Sequence, residues 1–450
     1  MIFTSWILLE EFIATEELDN KPNRIGIMGF LTFLSPLGRL LLNRKHSKRK
    51  YILYLNNYWN LHGFQFGEGH QPFLDAECPV SDCYATHDPT VLQGKHNYDY
   101  DEAAFDAVMI HAPEFNFHNV PMIQRWRRPE QRLVYMNMES PMSWNTPDII
   151  TMKNFFNWTM TYRHDSDIPR PYGFFQPISK LTNSNPQKYF PVQFDSRPQF
   201  LAFNEHEFLT KILPEKDQDF LKFADRPKKV AWIVSRCFSP SRREDYAARL
   251  KEYIDVDILG RCGNIPCDTS FAQHAYKDNC TRAVEKDYKF YLSFENSFCN
   301  DYVTEKFYKR LRGKSLPIVL GAAKYDQLAP PHSFLNALDY DSPKALAEKI
   351  LELDKNNSQY LSYFWWKDHY VVHNGTASDH ASSMCKLCEM LHDSSLPPKV
   401  YPSMSDWHGD KSQCLSELPR VIRNLLPNYG SSPDDGDDGA WPFNGLDDHF

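Results

Sequence analysis

Three absences narrow the reading of this sequence before any motif is considered. There is no long apolar run: the most apolar stretch near the start, IGIMGFLTFLSPLG at residues 25–38, is 14 residues long, short of the roughly twenty needed to cross a membrane as a helix, and it contains Pro36. The basic run NRKHSKRK at residues 43–50 follows this stretch, whereas a type II signal anchor carries its positive charge before it. There is no excess of basic charge either. The net charge is −8 with acids and bases interleaved, which excludes nucleic acid as a partner. Finally, no carboxylate group is shaped for a metal. Asp165-Ser166-Asp167 and Asp255-Val256-Asp257 have the spacing of a metal motif, but a hard cation needs carboxylates converging in a cleft. In IDVDIL, moreover, the aspartates alternate with Ile and Val as the polar face of a strand does.

What is present points to a two-domain α/β protein of the secretory route. The 450 residues are too many for one ordinary domain and suffice for two. Ten cysteines and Asn-x-Ser/Thr sequons at Asn157, Asn279, Asn356 and Asn374 suit an oxidising, glycosylating compartment. Asn157 lies in the strand-like FNWTMTY, so Asn279, Asn356 and Asn374 are the candidate acceptors. Cys78 and Cys83 share a turn-rich loop at residues 75–89 and are near enough to close a small ring; Cys262, Cys267, Cys385 and Cys388 are further disulfide candidates. Cys385-Lys386-Leu387-Cys388 could equally be half a zinc site completed by His392 and Cys414, or a redox pair.

Apolar runs at residues 51–55, 107–111, 133–137 and 158–162 alternate with polar and helical segments, the pattern of a parallel sheet covered by helices. Residues 1–50 form a tail with the weak anchor candidate, 51–180 a first α/β domain, 181–228 a proline-rich crossing, 229–395 a second α/β domain, and 396–450 an extension whose acidic, Gly/Pro-rich end is expected to be disordered. In the first domain Glu139 leaves the strand at 133–137 as Ser140-Pro141 turns the chain, which faces its carboxylate to a cleft. In the second, VAWIVS from residue 230 reads as a strand, Ser241-Arg242-Arg243-Glu244 as a capping box opening a helix, and Arg243 lies in that helix's first turn. Ser342 and Pro343 start a helix with Leu346, Ile350 and Leu353 inward, and SQYLSYFWWKD at 358–368 reads as an aromatic core helix.

Residues 288–321, YKFYLSFENSFCNDYVTEKFYKRLRGKSLPIVLG, read as strand, loop, helix, strand. Val303, Phe307 and Leu311 make the inward stripe of the helix, and Gly313 sits where a helix end turns left-handed. Glu295, Asn296, Asp301, Tyr302, Thr304, Glu305 and Lys306 gather at the carboxyl end of the first strand and over the helix N-terminus, where an open α/β sheet binds ligands and where unpaired N–H groups favour an anion.

FENSFCNDYVTEK resembles the signature of the α-1,3-fucosyltransferases, and similarity to that family extends from about Tyr51 to Cys414. The resemblance implies a GT-B fold, two Rossmann-like domains facing each other across a cleft, and an inverting transfer of L-fucose from GDP-β-L-fucose to O3 of GlcNAc in glycans. The alternatives are another nucleotide-sugar transferase on the same fold, or a catalytically silent glycan- or nucleotide-binding protein. By the same resemblance Glu139, in an Glu-Ser-Pro motif, is the base, and Arg243, Asn296, Tyr302, Glu305 and Lys306 bind the donor. No cofactor is required, a divalent metal being at most a stimulator, and the CxxC is a structural bridge. The family implies a Golgi enzyme with a lumenal catalytic part behind a single-pass anchor. LGRCGNIPC leans the acceptor toward the core GlcNAc of an N-glycan rather than an outer antenna. The sequence departs from the family at residues 307–315, which lack the usual Asn-Ala pair and leave the packing of that helix open.

Overall fold

The computed structural model describes residues 49–425 apart from 60, 94, 96–98, 100, 144–151, 179–193, 195–222, 268–278, 375–376, 410–413 and 415–418. The apolar run at 25–38, nearly all of the 181–228 crossing and the acidic tail lie outside the described residues. Among the described residues no helix is long and apolar enough to cross a membrane.

The first sheet is built from β1 (Lys50–Tyr54), β2 (Cys83–Thr86), β3 (Ala107–His111), β4 (Arg132–Asn137), β5 (Trp158–Thr161) and β6 (Ile168–Pro169), all parallel, in the order β2-β1-β3-β4-β5-β6. β7 (Phe174–Pro177) leaves this sheet and later pairs antiparallel with a strand from the far end of the chain. The second sheet contains β8 (Lys228–Ile233), β9 (Val256–Leu259), β10 (Tyr288–Phe294), β11 (Leu316–Leu320) and β12 (Leu335–Asn336), again all parallel, in the order β12-β11-β10-β8-β9. β13 (Tyr370–His373) is the partner of β7. Strands covered on both faces need continuous apolar runs rather than alternation, and β3, β10 and β11 are buried at every position. This is an α/β, GT-B type architecture.

β2 is a correction to the sequence reading, which treats residues 75–89 as loop. Its four residues, CYAT, are too few to stand out among the surrounding turn formers, and pairing with β1 in the register Lys50↔Cys83 to Leu53↔Thr86 supplies what local pattern does not.

The helices that position the site are α1 (Arg243–Leu250), α2 (Asn279–Asp287), α3 (Glu305–Arg312), α4 (Pro343–Lys355), α5 (Asn357–Ser362) and α6 (Ala377–His392). α4 starts as expected: Ser342 Oγ accepts the Ala345 N–H at 3.2 Å, and Leu346, Ile350 and Leu353 are buried. The aromatic stretch after it is core, with Tyr360, Phe364 and Trp366 buried, but it divides into α5 and a 3₁₀ turn at Trp365–Asp368. α3 packs through Phe307 and Leu311 as expected and also buries Tyr308 and Arg310. Tyr308 lies against Gly173, where a Cβ would come within 2.3 Å of the ring, and the Arg310 guanidinium covers the Tyr291 ring at 4.4 Å. Helix α3 therefore packs fully with the residues present at 307–315. Gly313 is extended (φ −73°, ψ −159°) rather than left-handed, and the end of α3 is closed by the Lys367 ammonium, which donates to the carbonyls of Leu311 (2.7 Å) and Gly313 (2.8 Å).

Five disulfides are present among the described residues: Cys78–Cys385, Cys83–Cys388, Cys237–Cys262, Cys267–Cys280 and Cys299–Cys414. Neither a Cys78–Cys83 ring nor a Cys385–Cys388 bridge forms. Cys385 and Cys388 lie one turn apart on the inward face of α6, both buried, and each meets a separate partner in the segment around β2. Cys83, Cys388 and His392 do converge. The bond between the two sulfurs removes the thiolates that zinc would need, and His392 Nε2 is taken by the Asp82 carbonyl at 2.9 Å.

Candidate active site

Each sheet reverses its strand order beside its first strand, between β1 and β3 in one and between β8 and β10 in the other. Loops on either side of such a reversal diverge and open a crevice at the carboxyl ends of the strands. The two ends meet. Ser140 Oγ donates to Ser297 Oγ at 2.7 Å and bonds Ser143 Oγ at 3.0 Å, His164 N donates to Asp301 Oδ2 at 3.2 Å, and Arg236 reaches the Ser143 carbonyl at 3.4 Å. The segment after β4 and the loop between β10 and α3 are thereby fixed against one another.

Glu295 is the first residue beyond β10 and has no solvent exposure. Its Oε1 accepts the Thr304 N–H at 2.8 Å, its Oε2 accepts the Thr304 hydroxyl at 2.9 Å, and Lys306 Nζ stands 3.4 Å from Oε2. Thr304 is the N-cap of α3, and its hydroxyl also accepts from Lys306 Nζ at 2.8 Å. Lys306 pairs as well with Glu305, at 3.3 Å. Burial disfavours the Lys306 charge, but Glu295 and Glu305 outweigh it and hold its pKa up at about 12. Removing one member of a buried pair of this kind costs about 3–5 kcal/mol, because the other charge remains desolvated. Burial pushes the Glu295 carboxyl up, with Lys306 opposing.

Arg243 comes to the same place from α1. It is 4 % exposed, its Nη1 donates to the Phe294 carbonyl at 2.7 Å, its guanidinium covers Trp232 at 5.5 Å, and its Nε has no partner among the described residues. Burial lowers its pKa, with Glu295 the chief opposing influence. The expected capping box is displaced: Arg242 is the N-cap residue, left-handed at φ 51°, and Glu244 reaches back to Ser239, accepting its N–H at 3.1 Å and its hydroxyl at 2.9 Å. Ser241 instead donates to the Glu295 carbonyl at 2.7 Å, which sets α1 against the end of β10.

Glu139 lies within electrostatic reach of Lys306 and of Arg236. Its backbone N–H donates to Asn137 Oδ1 at 2.8 Å, and Tyr302 donates to its Oε2 at 3.1 Å. Tyr302 is itself buried, edge-on to Tyr162 and Tyr172, and the Tyr172 hydroxyl is bonded to the Met138 carbonyl at 2.6 Å. Burial pushes the Glu139 carboxyl above its ordinary range, Lys306 pulls it back, and Glu305 adds to the push. The site thus holds a carboxylate whose proton affinity is raised, the half-buried Lys306 ammonium, the buried Arg243 and a helix N-terminus, an arrangement able to take a proton from an alcohol while a phosphate leaves.

Of the residues singled out in the sequence, Glu139, Glu305 and Arg243 all lie within electrostatic reach of Lys306, and Tyr302 within reach of Glu139 and Arg243. Asn296 is buried and serves the loop, its carbonyl accepting from Ser241 N at 3.1 Å and its Oδ1 from Ser297 at 3.3 Å. The carboxylates of Asp165 and Asp167 are spent on Arg163 and on Thr159 and Tyr401, and Asp257 on Lys228 and Tyr288. Asn157 is buried and bonded through both ends of its amide to Arg127, Leu133 and Lys399. Asn374 is 3 % exposed and accepts from Arg312 at 3.0 Å, which corrects its place among the glycan acceptors: a glycan needs an amide open to solvent. Asn279 and Asn356 are exposed. Sequence reasoning gave Ser140 only a part in turning the chain and no role to Ser143, Ser297 or Arg236; serines and a lone arginine in loops carry no periodic signal, and only the meeting of the two sheets selects them.

A model of the fucosyltransferase N-terminal region matches residues 47–173, and one of the glycosyltransferase family 10 (fucosyltransferase) C-terminal region matches residues 223–407. The chain is 33 % identical over 346 residues to alpha-(1,3)-fucosyltransferase C of Drosophila melanogaster, covering 76 % of this chain and 73 % of the relative. It is 32 % identical over 401 residues to glycoprotein 3-alpha-L-fucosyltransferase A of the same organism, covering 87 % and 67 %. A crystal structure of an alpha1,3-fucosyltransferase with GDP-fucose superposes with a TM-score of 0.44 at 13 % identity over 78 % of this chain and 92 % of that one. With both halves of its length matched, the chain belongs to glycosyltransferase family 10, the fucosyltransferases.

Proposed function

We propose that the protein moves L-fucose from GDP-β-L-fucose to O3 of GlcNAc in protein- or lipid-linked glycans, with inversion, and that Glu139 is the base. The observation that carries this reading is the Glu139–Tyr302 bond set within electrostatic reach of Lys306. Tyr302 occupies Oε2, and among the described residues no donor reaches Oε1. That oxygen takes the proton from the acceptor O3 as O3 attacks the anomeric carbon. The bond from that carbon to the β-phosphate oxygen breaks with its electron pair, and the charge growing on GDP is met by Lys306, Arg243 and the N-termini of α1 and α3. One carboxylate suffices because the leaving group needs no protonation, and single displacement turns a β-linked donor into an α-linked product. On this reading residues 51–180 hold the acceptor and 229–395 the donor. Glu305 and Asn296 shape the donor side, and a divalent cation is at most a stimulator.

The five disulfides and the exposed sequons at Asn279 and Asn356 support a lumenal setting in the Golgi. A single-pass type II anchor belongs to the same reading. The test is transfer from GDP-fucose, with GDP-mannose and UDP-sugars as controls, to acceptors presenting core or antennary GlcNAc. Glu139→Gln should leave donor affinity near parental and lower kcat by about 10²–10⁴-fold. Near-parental kcat in that variant would remove Glu139 from the role, and transfer of another sugar in preference to fucose would overturn the donor assignment.

A further inference from the structure

Between the two cations of the site lies a carboxylate that the reaction as described does not use. We infer that Glu295 is the resident counter-ion of the donor site, a positioning residue that holds Lys306 charged and aimed while the pyrophosphate of a nucleotide sugar comes and goes. The inference rests on the reading of Lys306 as a pyrophosphate ligand.

Four contacts carry it. The Glu295 carboxylate takes the Thr304 N–H and hydroxyl and faces Lys306 Nζ, while the backbone carbonyl of the same residue accepts from Ser241, the residue before the N-cap of α1. One side chain therefore ties the entry of α3 to the end of β10, nine residues earlier in the chain. The residue also adjoins the other cation, since the Phe294 carbonyl beside it holds Arg243. Its own N–H is fixed to the Leu320 carbonyl at 2.9 Å, so the backbone that carries the carboxylate is held in the sheet while Thr304 holds the carboxylate itself.

A side chain wholly removed from solvent cannot itself touch the acceptor, and its bonds to Thr304 and Lys306 leave it no freedom to move protons to the reacting atoms. Its effect passes through Lys306. The charged groups facing that ammonium are Glu295 from β10, Glu305 on its own helix, Arg243 from α1 and Glu139 from the other sheet. Two carboxylates and one guanidinium are permanent neighbours of Lys306, and of the carboxylates only Glu295 is fully buried. In the empty site the ammonium needs such a partner to stay protonated in a desolvated position. In the loaded site the same fixed negative charge, 3.4 Å from the ammonium, holds it in place and keeps it from collapsing onto the phosphates in the ground state.

The test is Glu295→Gln in the full chain, with kcat and KM for GDP-fucose followed from neutral pH to about pH 10. The amide keeps the shape and can still accept from Thr304, but the charge is gone. Activity of the variant should fall away on the alkaline side, as Lys306 loses its proton within the measured range, while the parent enzyme stays level there. At neutral pH kcat should fall at least tenfold, with KM for GDP-fucose unchanged or lower because a negative charge has left the neighbourhood of the pyrophosphate. Thr304→Val, which cuts the hydroxyl relay to Lys306 but keeps both charges, should lower kcat without the alkaline loss, and serves if Glu295→Gln does not fold. An alkaline profile in Glu295→Gln that matches the parent, a KM that rises with no fall in kcat, or an alkaline loss in Thr304→Val would each overturn the inference. If the parent enzyme fails to turn over GDP-fucose at all, it is the donor assignment that falls.

Discussion

Tyr302→Phe isolates one hydrogen bond at the centre of the proposed chemistry. The variant keeps the ring that packs edge-on to Tyr162 and Tyr172, at centroid distances of 5.0 and 6.4 Å, and deletes only the hydroxyl that donates to Glu139 at 3.1 Å. A hydrogen bond to a charged group contributes about 1.5–3 kcal/mol. The bond is not short and Glu139 is only partly buried, so the lower end applies, equivalent to roughly tenfold in the proton affinity of the carboxylate. The sign follows from which form the bond favours. Tyr302 donates to the ionised carboxylate and lowers a proton affinity that burial has raised; without it the carboxyl is protonated at still higher pH. The acidic limb of kcat/KM for the acceptor, measured at saturating GDP-fucose, should therefore move to higher pH, with activity on that limb down about tenfold and the plateau at higher pH close to parental. Superimposable profiles would mean that Tyr302 does not act on the base, and a lowered plateau without displacement of the limb would mean that it acts on packing alone.

Lys306→Ala should weaken GDP binding and slow single-turnover transfer, because charge on the leaving diphosphate grows toward the transition state; parental values of both would place the pyrophosphate elsewhere. Peptide mapping without reduction should return Cys78 joined to Cys385 and Cys83 joined to Cys388, and a peptide closed between Cys385 and Cys388 would contradict the fold of α6. Removing the second bridge with Cys83→Ser and Cys388→Ser should lower stability by about 2–5 kcal/mol in thermal or denaturant unfolding. In protein from secreting cells, Asn356→Gln should remove one glycan by mass and Asn374→Gln none, since only the first side chain opens to solvent.

The strands that carry the site were legible because parallel sheets bury both faces: AVMIH and LVYMN are β3 and β4 nearly residue for residue, and residues 288–321 form the strand, loop, helix and strand that were read, Gly313 alone departing in its conformation. Glu139, Lys306 and Arg243 were legible for a related reason, each lying just beyond a strand or in the first turn after one. What escaped depends on contacts distant in sequence. β2 needs β1 beside it; Glu244 has Ser239 within reach rather than the expected Ser241; and the cysteine partners lie 305 and 307 residues apart, which spacing within a loop or a CxxC cannot disclose. Asn374 fits the glycosylation pattern perfectly well, and only its contact with Arg312 shows that the pattern is not sufficient.

Those long spans also set an order of events for the growing chain. On the proposed lumenal route Cys78 and Cys83 enter the oxidising compartment together, while their partners are still about 300 residues from being made, a delay of roughly 15–60 s at ordinary rates of synthesis. For that interval the nearest oxidised state open to the two thiols is the small ring between them, and Cys385 and Cys388 meet the same temptation when they emerge. Biogenesis must hold the first pair reduced or reopen the ring by thiol exchange, so the yield of native enzyme should follow the supply of disulfide isomerase more closely than that of oxidant.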